Sequence, residues 1–166
     1  MQPLSPKDPK SIGGYPLLGR LGAGGMATVY LALRDGEMIA IKSVNFTGGV
    51  EDDDKSRFQR EAANQQILRS PFIASLIDSG IEEDRAWIAM EHVSGQNLSS
   101  LIARGSGLSD ALWWSLAMGC ASAIATTSQK GVIHRDVKPA NIVLSSAGPK
   151  LVDFGIARNL TRQASP

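Results

Sequence analysis

The sequence predicts an α+β protein in two successive parts, and three observations predict it. From Tyr15 to Val93, apolar and polar residues alternate in short runs separated by turns, with one helical stretch between them, Lys55 to Arg69. From Ser94 onward the pattern turns helical, dominated by the apolar run Ala111 to Ala125. Beyond it, two short polar motifs crowd opposite charges together, Val132-Ile-His-Arg-Asp-Val-Lys-Pro-Ala-Asn141 and Lys150-Leu-Val-Asp-Phe-Gly155.

Composition narrows the function classes. The 166 residues can bury a sizeable core. With 17 Lys+Arg against 16 Asp+Glu and no basic stripe, nucleic acid is not an expected partner. The single Cys120 excludes an intramolecular disulfide framework and suits a reducing compartment; in its apolar run it reads as a core residue rather than a reactive thiol. Met1 to Lys10 carries three prolines and no apolar centre, so it is not a signal peptide, and residues 1–13 read as a flexible tail. The run from Ala111 is interrupted by Ser115, Gly119, Cys120 and Ser122, too short to span a bilayer, and reads as a buried helix. The expected location is cytoplasmic, with a membrane anchor elsewhere in a longer parent chain left open.

Each element follows from local pattern. Strand-like residues from Tyr15 lead into Leu21-Gly-Ala-Gly-Gly-Met-Ala-Thr-Val-Tyr30, where Gly22 and Gly24 allow close approach of the backbone to phosphate oxygens, or simply a tight turn. Apolar alternation on both sides, without a following helix, argues against a dinucleotide-binding unit. Glu37 to Val44 reads as a strand with Lys42 among apolar neighbours, a costly place for an unpaired cation. The acidic run Glu51 to Asp54 fits a helix N-terminus. In the helix that follows, Phe58, Ala62 and Leu68 form an inward stripe with Glu61 beside it and Arg57 as a surface partner. Pro71 to Asp78 and Arg85 to Met90 read as strands. Asn97 to Ala103 reads as a short helix, and Ser109-Asp110 as the cap of a helix reaching about Lys130, with Trp113 and Trp114 as core and rim packing. Ile142 to Leu144 and Lys150 to Val152 form a hairpin around Ser145 to Pro149.

The two polar motifs hold an acid (Asp136), a cation (Lys138), an amide (Asn141) and a second acid (Asp153). An acid can accept the proton of an attacking hydroxyl, a cation with Mg²⁺ can neutralise phosphate charge, and an amide with a carboxylate can hold the metal. In these motifs, with the glycine-rich stretch and Ala40-Ile-Lys42 before them, the chain resembles the serine/threonine protein kinases, and in wording the bacterial ones.

The resemblance covers roughly residues 14 to 160 and implies a two-lobe fold. Residues 14–93 would form the N-lobe and hinge, a five-stranded antiparallel sheet with one helix, and residues 94–166 a partial helical C-lobe. It implies ATP with Mg²⁺, or Mn²⁺ in its place. ATP would be held by Leu21, Gly22, Ala23, Gly24, Gly25, Met26, Ala27, Val29, Ala40, Lys42, Met90, Glu91, Val93 and Val143. It implies Asp136 as the base, Lys138 on the transferring phosphoryl, Lys42 paired with Glu61, and Asn141 and Asp153 on the metal. His134 is then structural and His92 a solvent-facing hinge residue. The substrate would be a protein Ser/Thr hydroxyl.

Two departures stand out. Ala27 replaces the third glycine of the loop, and Gln65 takes a place where these kinases put an apolar member of a stack with Leu76, His134 and Phe154. The 166 residues hold no Ala-Pro-Glu motif and none of the helices beyond it. The chain therefore reads as truncated in the activation loop, inactive as it stands, with an exposed C-lobe surface that dimerisation or a partner would cover. Thr161 and Ser165 would be phosphoacceptors and Arg135 their counter-charge in an intact protein. The alternative function is a non-catalytic, pseudokinase-like nucleotide-binding module; a small-molecule kinase fits Lys138 and the arginine of His-Arg-Asp less well.

Overall fold

The structure, a computed structural model, describes residues 1–24, 27–45, 52–82, 85–105 and 107–154. The chain forms two compact units. Among the described residues, the first comprises Met1–Gln66 and Leu76–His92; the second comprises Ile67–Ser75 and residues 93–154.

The first unit is a six-stranded antiparallel sheet in the order β1-β2-β3-β4-β6-β5, with one helix. Its strands are β1 (Ser11–Ile12), β2 (Tyr15–Ala23), β3 (Ala27–Arg34), β4 (Glu37–Asn45), β5 (Leu76–Glu82) and β6 (Arg85–Glu91), and α1 (Asp52–Gln66) lies between β4 and β5 in sequence. The five long strands are those expected; the two-residue β1 adds an edge. Asp35 (φ 49°) and Gly36 (φ 86°) turn β3 into β4, both left-handed as a two-residue hairpin requires. Side chains alternate across the sheet. Ile39, Ile41, Tyr30, Ala32, Ala89 and Trp87 therefore share one face, where Ile12 and Leu17 complete a buried cluster.

Residues 1–13 are not a flexible tail, which corrects the sequence expectation. Gln2 pairs with Arg20, its N–H donating to the Arg20 carbonyl (2.9 Å) and its carbonyl accepting from the Arg20 N–H (2.8 Å). Leu4 and Ile12 join the apolar cluster. A further correction concerns Pro71 to Asp78. The strand begins at Leu76, and Ile67–Ser75 belongs to the second unit, where Ile73 bridges Leu151 in parallel.

The second unit contains β7 (Gln96–Asn97), α2 (Leu98–Ala103), α3 (Asp110–Gln129), a 3-10 turn (Pro139–Asn141) and the hairpin of β8 (Ile142–Ser145) and β9 (Gly148–Leu151). Asn97 caps α2, its side chain accepting from the Ser100 N–H at 2.8 Å. Ser109 caps α3 in the same way through the Leu112 N–H. Gly131 (φ 66°) follows the C-terminal end of α3 in the left-handed conformation that ends many helices. The reading of α3 as a buried helix holds along one stripe only, and its other side is the exposed apolar surface expected of this part of the chain. Only Leu116, Gly119, Ala123 and Thr127 form its inward stripe, while Trp113 is 58% and Trp114 72% exposed. Gly119 is needed there, since a Cβ would stand 2.6 Å from Pro149. Among the described residues no helix is long and apolar enough to cross a membrane.

Candidate active site

In the first unit, register decides which side chains meet. Val29 pairs with Lys42, Lys42 with Ile88, and Ala40 with Met90, so Val29, Ala40, Lys42 and Met90 share the face opposite the buried cluster. The glycine-rich hairpin continues this face. Gly22 pairs with Val29 and Ala23 with Thr28, and the Gly24 N–H donates to the Ala27 carbonyl at 2.9 Å. Leu21, Gly22, Ala23 and Gly24 are all exposed. The expected contributions of Gly25 and Met26 lie outside the described residues. Between Arg20 and Gly22 the register slips, leaving Leu21 as the extra residue of a bulge at the loop's root. Glu91 ends β6, and Val93 opens the next stretch of the second unit.

Lys42 and Glu61 are both half-buried and both engaged with polar or charged groups. Gln65 lies one turn beyond Glu61 and is only 4% exposed, its Oε1 without a hydrogen-bond partner among the described residues. A buried acceptor in that condition costs about 1–3 kcal/mol, so the departure noted in the sequence is also a local energetic weakness.

The second unit gathers the polar motif residues. Asp136 Oδ2 accepts from Asn141 Nδ2 at 2.9 Å and faces Lys138 Nζ at 2.8 Å. Asn141 Nδ2 also donates to the Asp136 backbone carbonyl at 2.9 Å, so the amide cannot turn. Asn141 closes the 3-10 turn and is buried; its carbonyl accepts from the Val152 N–H at 2.9 Å. Because Ile142 pairs with Leu151, Asn141 and Asp153 leave the β8–β9 hairpin at the same end. Val143 lies on β8, half-buried.

Two non-glycine residues of these motifs adopt left-handed backbone, Arg135 (φ 63°) and Asp153 (φ 61°). Such conformations cost of order 1–3 kcal/mol and cluster at functional sites. His134 is buried and stacks at 4.2 Å between ring centroids on Phe154. The Asp136 N–H donates to its Nδ1 at 3.3 Å. Burial lowers the His134 pKa, against the charge of Asp153, the Val152 backbone and the charge of Asp136. The ring is thus packed into the loop, held by Phe154 and the Asp136 N–H.

The donor set fits Mg²⁺. No group of three or more His, Cys, Asp or Glu side chains is placed to hold a metal among the described residues. Mg²⁺ does not need one, because it keeps several waters and binds through one or two carboxylates together with substrate phosphates. One carboxylate, Asp153, and one locked amide, Asn141, meet that requirement.

A feature the sequence reading missed lies behind the glycine-rich hairpin. Asp8 receives Arg20 Nε at 2.7 Å and Nη2 at 2.6 Å, and the Tyr30 hydroxyl at 2.9 Å. The only signal in the sequence is a lone acid amid prolines, twelve residues before an arginine.

A model of the protein kinase domain matches residues 15–166. The chain belongs to the protein kinase family. Among its relatives in this family, serine/threonine-protein kinase PrkC of Bacillus subtilis is 39% identical over 153 residues, covering 90% of this chain and 24% of the relative. Serine/threonine-protein kinase AfsK of Streptomyces griseus is 34% identical over 163 residues, covering 97% of this chain and 20% of the relative. The chain therefore spans between a fifth and a quarter of the length of these kinases. The crystal structure of the Mycobacterium tuberculosis PknI kinase domain superposes with a TM-score of 0.77 at 32% identity, over 93% of this chain and 66% of that one. Kinases of this family use ATP and Mg²⁺ on protein substrates.

Proposed function

We propose that this chain carries the nucleotide-binding and catalytic residues of a serine/threonine protein kinase that moves the γ-phosphoryl of Mg·ATP to a protein Ser/Thr hydroxyl. The observation that carries the reading is the Asp136 carboxylate, held by the Asn141 amide and the Lys138 ammonium in a loop with strained backbone at Arg135. A fixed carboxylate is suited to accept the proton of the substrate hydroxyl as that oxygen attacks phosphorus. Lys138, its ammonium 2.8 Å from Asp136 Oδ2, would neutralise charge on the transferring group. Asn141 and Asp153 would hold the metal, Mg²⁺ or Mn²⁺, which draws charge from the phosphate oxygens.

In the first unit, the exposed backbone of Leu21–Gly24, free of bulky side chains at Gly22 and Gly24, would let phosphates approach closely. Lys42, paired with Glu61, would take the α- and β-phosphates. Ala40, Val29 and Met90 on their shared face, with the backbone of Glu91, would hold the adenine; in the second unit the proposed nucleotide contacts are the backbone of Val93 and the side chain of Val143. A cytoplasmic setting suits a chain dependent on ATP.

The test is phosphoryl transfer from Mg·ATP to a mixed protein acceptor, with nucleotide binding measured alongside. Asp136→Asn is expected to lower transfer by roughly 10²–10⁴-fold and to leave Mg·ATP binding intact. Transfer that survives the substitution would remove Asp136 as the base. Nucleotide binding without any transfer in the parent would favour the non-catalytic module instead.

A further inference from the structure

We propose that residues 1–12 are a strap behind the glycine-rich hairpin, and that Asp8 is a positioning residue for nucleotide binding. The inference rests on the nucleotide-binding reading above. Arg20 and Tyr30 are direct cross-strand partners on β2 and β3, the last pair before the register slips at Leu21. One carboxylate, only 3% exposed, takes both of them, through two bonds from the guanidinium and one from the phenol. Asp8 itself is fixed by the Ser5 N–H at 2.7 Å.

The far end of the strap is fitted as closely. A Cβ at Gly19 would lie 2.8 Å from the Gln2 carbonyl oxygen and 3.1 Å from Met1 Cγ, so Gly19 is the residue that lets the first two residues lie on β2. Arg20 and Tyr30 project from the face opposite Val29 and Lys42. At Asp8 the strap therefore meets the hairpin on the face opposite the one proposed for the nucleotide. It holds the bulge from behind, and the bulge sets where the exposed backbone of Gly22 to Gly24 lies. Binding to a loop already in shape avoids the ordering cost that a loose loop would incur.

The experiment compares the parent chain with Asp8→Asn and Gly19→Val, which break the strap at different points. Two quantities are measured: hydrogen exchange over residues 20–30 without nucleotide, and the dissociation constant for Mg·ATP. Both variants are expected to raise exchange in that hairpin while α3 stays as protected as in the parent, and to weaken Mg·ATP by roughly five- to tenfold. The exchanged pair Asp8→Arg with Arg20→Asp is expected to recover part of that loss. Where transfer can be followed, KM for ATP rises and kcat changes little.

Unchanged hairpin exchange in both variants would overturn the proposal. So would looser exchange with unaltered Mg·ATP affinity, or a loss of protection spread evenly over β4 and β6, since either marks a general support of the fold. A parent that binds no nucleotide would sink the nucleotide-binding reading, and hairpin exchange would then decide the strap on its own.

Discussion

Two carboxylates carry much of the argument at the scale of single residues, and their surroundings differ. Asp136 is offered one ammonium and one amide, and its neighbour Arg135 holds a backbone conformation that only a well-supported loop sustains. Asp8 is enclosed by a guanidinium, a phenol and a backbone N–H. The Arg20 guanidinium beside it holds its carboxyl well below the usual carboxylate range, with Ser5 and Tyr30 acting in the same direction and burial against it. The sign of the pH effect follows. A carboxyl depressed in the folded state contributes its stability fully above its unfolded pKa, near 3.8, and loses it as pH falls below that value. Asp8→Asn should therefore lower stability at neutral pH and flatten the acid limb below about pH 4. Urea melts of parent and variant over that range check this; parallel acid limbs would refute it.

The elements show how packing overrules composition. Trp87 on β6 faces Gly80 on β5 as a direct cross-strand pair, and a Cβ at Gly80 would stand 2.7 Å from the indole Cζ2. From the other side, Gly13 lies so near the ring that any side chain there would overlap it. Tyr15 completes the enclosure edge-on, with centroids 6.0 Å apart. Gly80→Ala is expected to cost about 1–3 kcal/mol by overpacking, visible as a lower thermal midpoint. A midpoint equal to the parent's would mean that the sheet yields more readily than this geometry allows.

The long strands, α1, α2 and the cap of α3 were legible because period and capping residues act locally. Two short motifs also put Asp136, Lys138 and Asn141 close in sequence, and the β8–β9 pairing brings Asn141 and Asp153 to one hairpin end. The strap was not legible. Leu4, Asp8 and Ile12 find their partners on strands that begin several residues later, and prolines at 3, 6 and 9 mask them as a loose tail. The start of β5 was misplaced for a similar reason. Phe72, Ile73 and Ala74 pair with Leu151, a distant partner that no local pattern announces. For α3, the apolar run read as a buried helix, although only one narrow stripe is covered.

For the molecule as a whole, charge and exposed apolar surface act together. The net charge is +1, and the isoelectric point lies near 7.9. Electrostatic repulsion between copies is therefore weak at neutral pH. Trp114 and Met118, four residues apart on α3, are 72% and 68% exposed. A contiguous apolar patch on a nearly neutral chain favours association. The chain is expected to form oligomers near pH 7.9, and Trp114→Gln with Met118→Gln to reduce them in light scattering. A parent that stays monomeric at that pH would contradict this.

The three tryptophans also have an optical consequence. Trp87 lies in the apolar cluster of the first unit, while Trp113 and Trp114 stand in water on the second. An indole shielded from water emits at shorter wavelength than one surrounded by it. The emission band of this chain is therefore a sum of two colours, one from each unit. As denaturant rises, the blue component reports the opening of the sheet, and quenching of the red component by iodide reports the surroundings of α3. The chain carries its own two-channel fluorescent reporter, with no label attached.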